Sequence, residues 1–306
     1  MKQSIIFILC LSPLLVHSQI YDPEIFKHYV IPITATLNDT NEVLYDSLKN
    51  YNLIMIGENH GVKEYVQFMA GLIRDFTTHH KKVIAGFEVE RGIMHDSLKN
   101  LTYPQVANSD FFTKDIDGRQ NSTLATIIAA LSKDSNVSLT FFDIRTNPIN
   151  RKQLKDTSKT YYINYVGYYR DSMMYETLNS AIKKDTNAVT ISICGDYHSM
   201  IERKGAMAYF LKNDSASAIK NKRILTIRDV SESGTMLNNE GKGLQLNPVY
   251  DEGKAIQLRT VDQNLFFLDG FVNYDNYLLL TPYSLYDGYC GILFIRHVTA
   301  AMPCKN

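Results

Sequence analysis

Neither sign of charge predominates in this sequence: 32 lysines and arginines stand against 32 aspartates and glutamates in 306 residues. That balance excludes the electrostatic footprint of a nucleic-acid or acidic-membrane surface. Cysteine is scarce, with four in the chain, and none falls in CxxC or zinc-finger spacing. Cys194 ends an apolar run and reads as a small core residue, while Cys290 and Cys304 are candidates for a disulfide in an oxidising compartment. The GxSxG elbow, the HExxH helix, the P-loop and the GxGxxG turn are all missing. Their absence removes the common signals for a serine hydrolase, a zincin, a nucleotide hydrolase and a dinucleotide enzyme. Repeats and low-complexity tracts are lacking too. The N-terminus has an apolar core from Ile5 to Val16, short of the ~20 residues a membrane span needs. Small Ser18 precedes Gln19, so residues 1–18 read as a signal peptide, and a secreted or periplasmic protein without a stable membrane anchor is expected. Leu9 stands before Cys10, where a lipoprotein box needs a small residue, so lipidation is not expected.

What is present, 45% hydrophobic and 21% charged residues, suits a single α/β domain over 19–306. Its core spans about 43–230. Leu53-Ile54-Met55-Ile56 is short enough for a strand buried on both faces. Gly57 breaks it, and from Val62 apolar residues recur at helical spacing through Phe76, ending near His79-His80-Lys81-Lys82. A second apolar run, Val83 to Phe87, ends on Glu88 and Glu90, completing a β-α-β unit. Further strands are expected at 137–143, 188–194 and 223–228, giving a mainly parallel sheet flanked by helices. Asn38-Asp39-Thr40-Asn41 can form a turn or cap before a short helix from Glu42 to Lys49, and Asn121 or Ser122 can cap one through Leu131. A tyrosine-rich helix from Ile149 or Lys155 to Lys184 and another from Ile201 to Lys212 complete the helical set. The weak pattern over about 91–118 reads as an insertion over the sheet. The tail from Gly241 reads as irregular, with loops and edge strands.

Polar residues interrupt four apolar runs at one end only: Glu58 and His60, Glu88 and Glu90, Asp143 and Arg145, Asp196 and His198. In an open parallel sheet these tips converge on one crevice, where such folds collect ligands. One acid at a strand end is ordinarily a cap or solvated; four in succession point to a site. Three readings remain open there. Histidine oriented by carboxylates can activate water as a general base; Glu58, His60 and His198 can hold a divalent metal; or the cluster is structural. Carboxylates favour a protonated His60 and burial opposes it, which together predict a pKa near the ordinary ~6.5. On the opposite lip, His198 is expected to protonate the leaving group or to stabilise the oxyanion, with Arg145 as a further candidate for the second task.

With Glu64 in the next helix, Gly57-Glu58-Asn59-His60-Gly61 resembles the motif of the superfamily that contains erythromycin esterases, ChaN-like haem-binding proteins and the TIKI/TraB group. Further landmarks follow in that superfamily's order: Asp46-Ser47-Leu48-Lys49, Ala85-Gly86-Phe87-Glu88, Phe142-Asp143, Arg170-Asp171-Ser172-Met173-Met174 and Gly195-Asp196-Tyr197-His198. The resemblance implies a hydrolase of ester or peptide bonds in which His60 activates water beside Glu58, Glu88 and His198. Glu64, Asp143 and Tyr197 would then contact a small-molecule or peptide substrate. ChaN-like members imply haem or iron binding instead, and TIKI-like members a divalent metal. One residue separates the motif acid from its histidine, as in ChaN-like members, where esterases tend to have two.

Overall fold

The computed structural model describes residues 28–33, 41–91, 98–113, 118–144, 159–238, 245–248, 257–259, 265–267, 274–281 and 288–304. Residues 1–18 and Arg145 lie outside them, so the signal-peptide expectation and one candidate site residue have no structural counterpart here. Among the described residues, no helix is long and apolar enough to cross a membrane.

The strands in chain order are β1 (Val30–Pro32), β2 (Leu53–Glu58), β3 (Val83–Glu90), β4 (Val137–Asp143), β5 (Val189–Gly195), β6 (Ile224–Asn238), β7 (Gln245–Pro248), β8 (Gln257–Arg259), β9 (Leu265–Phe267), β10 (Asn276–Leu280) and β11 (Gly291–Val298). The helices are α1 (Glu42–Leu48), α2 (Lys63–Thr78), α3 (Tyr103–Ala107), α4 (Ser122–Leu131), α5 (Lys159–Lys184), α6 (Asp196–Ser199) and α7 (Met207–Asn213). A nine-stranded sheet runs in the order β1-β10-β11-β6-β2-β5-β3-β4, with β7 on the far half of β6. From β11 to β4 every neighbouring pair is parallel. β10 and β1 are added antiparallel at the other side.

The alternation of side chains along each strand divides the core in two. Ile54, Ile56, Ala85, Phe87, Ile191 and Ile193 pack with α1, α2 and α4. Leu53, Met55, Ile84 and Cys194 pack on the other face with Met174, Leu178 and Ile182 of α5 and with Met207 and Leu211 of α7. The Asn41 side chain accepts from Leu44 N at the start of α1, and Asn121 does the same for Leu124 N in α4. These bonds satisfy amides that a helix start would otherwise leave unpaired.

Within the stretch read as an insertion, Leu101, Val106, Phe111 and Phe112 are buried in the α2/α4 side of the core, and Thr102 with Gln105 makes a reciprocal capping box at α3. The structure corrects the sequence reading in three places. β11 is an interior strand, parallel to β6, not an edge. The helix expected from Ile201 is shortened to α7, because Ile201 to Ala206 is taken up by turns. Cys290 and Cys304 are both free: the first neighbours Lys212 and Glu202, the second bonds the Tyr103 hydroxyl.

Candidate functional site

The parallel register sets Gly57 and Glu58 of β2 beside Cys194 and Gly195 of β5, and aligns Phe87 of β3 with Ile193. The expected strand-tip residues therefore meet. His60 Nδ1 lies 3.1 Å from Glu58 Oε1, and its Nε2 lies 3.7 Å from Glu88 Oε2. A Cβ on Gly195 would come within 3.0 Å of His60 Nε2, so a bare backbone here lets the ring lie against the end of β5. Across the same carboxylate, His198 Nε2 is 3.6 Å from Glu88 Oε1, and its Nδ1 is 2.8 Å from Asp171 Oδ1. Two imidazoles, each with Nδ1 on its own acid, thus face the two oxygens of Glu88.

Glu88 is almost wholly buried, and its bonds come from two cations and a backbone amide. Arg119 Nη1 and Arg170 Nη2 donate to Oε1 at 2.7 and 2.6 Å, and Gly195 N–H donates to Oε2 at 2.6 Å. Burial would raise its pKa, but the two guanidiniums, Arg119 foremost, hold it well below the usual carboxylate range. Asp143 shares both cations: it takes Arg170 Nε and Nη2 at 2.7 and 2.8 Å and Arg119 Nη1 at 2.9 Å. It is 1% exposed, a counter-ion inside the protein.

The opposite balance holds at the first dyad. Burial pushes Glu58 above its ordinary pKa despite the bond to His60, and Glu58 Oε2 is buried without a hydrogen-bond partner. For His60, burial lowers the pKa, but the charge of Glu88 and the bond to Glu58 outweigh it, so the imidazole is more basic than an ordinary histidine. The sequence expectation of a near-cancelling sum is corrected upward. The intervening Asn59 is pinned: its N–H and side-chain amide donate to Asp229 at 2.8 and 3.2 Å. Burial and the neighbouring Asp196 hold Asp229 well above the usual aspartate pKa.

Two sequence candidates are directed elsewhere. Glu64 Oε2 accepts from Thr299 N at 2.8 Å, tying α2 to the chain after β11. Tyr197 is 66% exposed, with the Arg203 guanidinium 4.5 Å above its ring. Four site members went unread: Arg119, Arg170, Asp171 and Asp229. Arg170 and Asp171 belong to a quoted landmark, and Asp229 is one more acid at a strand tip; Arg119 had no comparable signal. Arg170 Nη1 lies 3.3 Å from His198 Nε2; a guanidinium only donates, so in this bond Nε2 is the acceptor.

A metal does not fit these residues. Among the described residues no three His, Cys, Asp or Glu side chains converge as a metal site, and both Glu88 oxygens are already bonded, beside two guanidiniums. Among the described residues, cavities of ≈ 510 Å³ and ≈ 470 Å³ lie between α2 and α4 and beside β4 and α5. Their walls contain none of the His, Tyr, Cys or Met side chains that ligate haem iron.

Neither a family model nor a curated protein sequence matches the chain. Solved structures do match in fold. A Bacillus cereus protein superposes with TM-score 0.62 at 10% identity, over 92% of this chain and 98% of its own. A succinoglycan biosynthesis protein gives 0.59 at 10% identity, over 92% and 97%. The erythromycin esterase EreC in its open conformation gives 0.57 at 11% identity, over 90% and 100%. The chain shares its fold with an erythromycin esterase, the fold that its ordered motifs led us to expect.

Proposed function

We propose that this protein is a secreted hydrolase in which His60 activates water. The observation that carries the reading is the Glu58–His60–Glu88 arrangement: a carboxylate on Nδ1, a raised imidazole pKa, and Nε2 turned toward a second carboxylate. A proton on Nδ1, held by Glu58, leaves the Nε2 lone pair to take a proton from water. The water oxygen then bonds to the acyl carbon, whose π electrons move onto the carbonyl oxygen. When the bond to the leaving group breaks, His60 returns the proton to it.

The buried carboxylates favour this course energetically. Glu58 is a costly charge beside neutral imidazole and a stabilised one beside imidazolium, so its interaction strengthens as the transition state is approached. Glu88 adds its charge at the other nitrogen, while Arg119 and Arg170 keep it ionised. Asp171 and His198 complete the site on the far side of Glu88.

The test is a panel of esters, amides and peptides with the mature protein and with His60→Ala. Losing a positioned base should lower turnover roughly 10²- to 10⁴-fold. Undiminished turnover in the variant, or no turnover of any class by the wild type, would remove the proposal.

A further inference from the structure

We propose that Arg170 is a catalytic residue of this site, its Nη1 receiving the negative charge that develops on the substrate carbonyl oxygen; this rests on the hydrolase reading above. Water attack on an acyl carbon places a full charge on that oxygen, and a site without a donor aimed at it forfeits much of its rate. The backbone donor at hand, Gly195 N–H, is already bonded to Glu88. Arg119 is 9% exposed in its side chain and points into the Glu88 and Asp143 carboxylates.

Arg170 differs in both respects. Its side chain is 29% exposed. Its Nε and Nη2 hold Asp143 in a two-pronged grip, and Nη2 also reaches Glu88. Nη1 alone meets no carboxylate among the described residues; its contact there is His198 Nε2. One of its two hydrogens is directed to that lone pair, and the other remains for a ligand. The chain Asp171–His198–Arg170 then explains why a second histidine is locked by its own acid: the imidazole aims Nη1. Arg170 lies against one oxygen of Glu88 through Nη2, and the base, His60, against the other. A carbonyl lying over that carboxylate meets water from one side and a guanidinium from the other. The guanidinium is fixed before substrate arrives, so no reorganisation is needed when charge develops.

The experiment compares the wild type with Arg170→Lys and Arg170→Ala on a matched ester and thionoester, the second having sulfur in place of the carbonyl oxygen. Lysine keeps a cation near Glu88 and Asp143 but has no Nη1. In Arg170→Lys, kcat on the ester should fall roughly 10²- to 10³-fold with KM little changed. The ester-to-thionoester rate ratio should fall with it, because sulfur accepts hydrogen bonds poorly and gains little from the lost donor. Guanidinium ion added to Arg170→Ala should restore part of kcat. A lysine variant with a wild-type ester-to-thionoester ratio would overturn the assignment while leaving the hydrolase reading intact, as would a loss confined to KM. A wild type inert on every ester, amide and peptide would take both down.

Discussion

Glu88→Gln removes one negative charge from a place where two guanidiniums, one backbone N–H and two imidazoles converge. Glutamine can still accept on one side, but its amide nitrogen opposes either the two arginines or Gly195 N–H, and Asp143 keeps its bonds to both cations without the second carboxylate. Breaking a buried ion pair from one side costs about 3–5 kcal/mol, a large part of a typical total of ~5–15 kcal/mol. The variant should therefore unfold at distinctly lower urea concentration. His60 provides a second readout. Its pKa is raised because Glu88 and Glu58 outweigh burial, and with the Glu88 charge gone, burial should bring it down. A raised histidine pKa contributes stability that is complete below ~6.5 and is lost as pH rises through the folded value. Glu88, depressed in the folded state, gives a contribution that is complete above its ordinary value of 4.5 and is lost as pH falls from there through its folded value. The stability difference between wild type and variant should accordingly be larger at about pH 5.5 than at about pH 8. Nitrogen NMR of the imidazoles gives the His60 titration directly, and the acidic limb of the rate profile should move with it. An unmoved His60 titration together with unchanged urea stability would refute the charge balance on which the site has been explained.

Asp75 tests the same electrostatics away from the site: burial raises its pKa to about 6, against one bond from Asn41 N–H. A raised acid costs stability once ionised, so Asp75→Asn should stabilise the fold by about 1–2 kcal/mol at neutral pH after solvent screening, with the gain vanishing near pH 4 in urea titrations. Gly57→Ala should destabilise by about 1–3 kcal/mol, because its Cβ would stand 2.2 Å from Ser199 Oγ and 2.8 Å from the Tyr289 hydroxyl oxygen; Ser199→Gly in the same chain should recover part of the thermal stability. Asp171→Asn should lower kcat by roughly 10²-fold and shift the His198 ring nitrogens in NMR; a change in melting temperature alone would make Asp171 a packing residue.

The division between what the sequence disclosed and what it withheld follows chemical logic. Glu58, Glu88, Asp143 and His198 were legible because each follows a short apolar strand, and parallel strands bring their carboxyl ends together whatever their order in the sheet. Asp229 obeys the same rule, following directly on the strand expected at 223–228, although β6 itself continues beyond it to Asn238. Arg119 and Arg170 obey a different rule. Neither is on the sheet: Arg119 precedes α4 in a stretch of weak periodicity, and Arg170 lies within a helix, where charge ordinarily means a solvated face. Their presence was nonetheless implied. Glu88 and Asp143 are buried, and a buried charge requires a partner or loses its ionisation. A parallel sheet that directs several acids into one crevice therefore requires cations from the elements that cross over its tips. The sequence states that demand before it shows which arginines meet it. The requirement also explains why the two histidines differ. His60, next to the burial-raised Glu58, is governed by acids. His198, next to Arg170, has its lone pair engaged by a cation, which under the proposed hydrolysis casts the first as the base and the second as the support for the group that receives the charge.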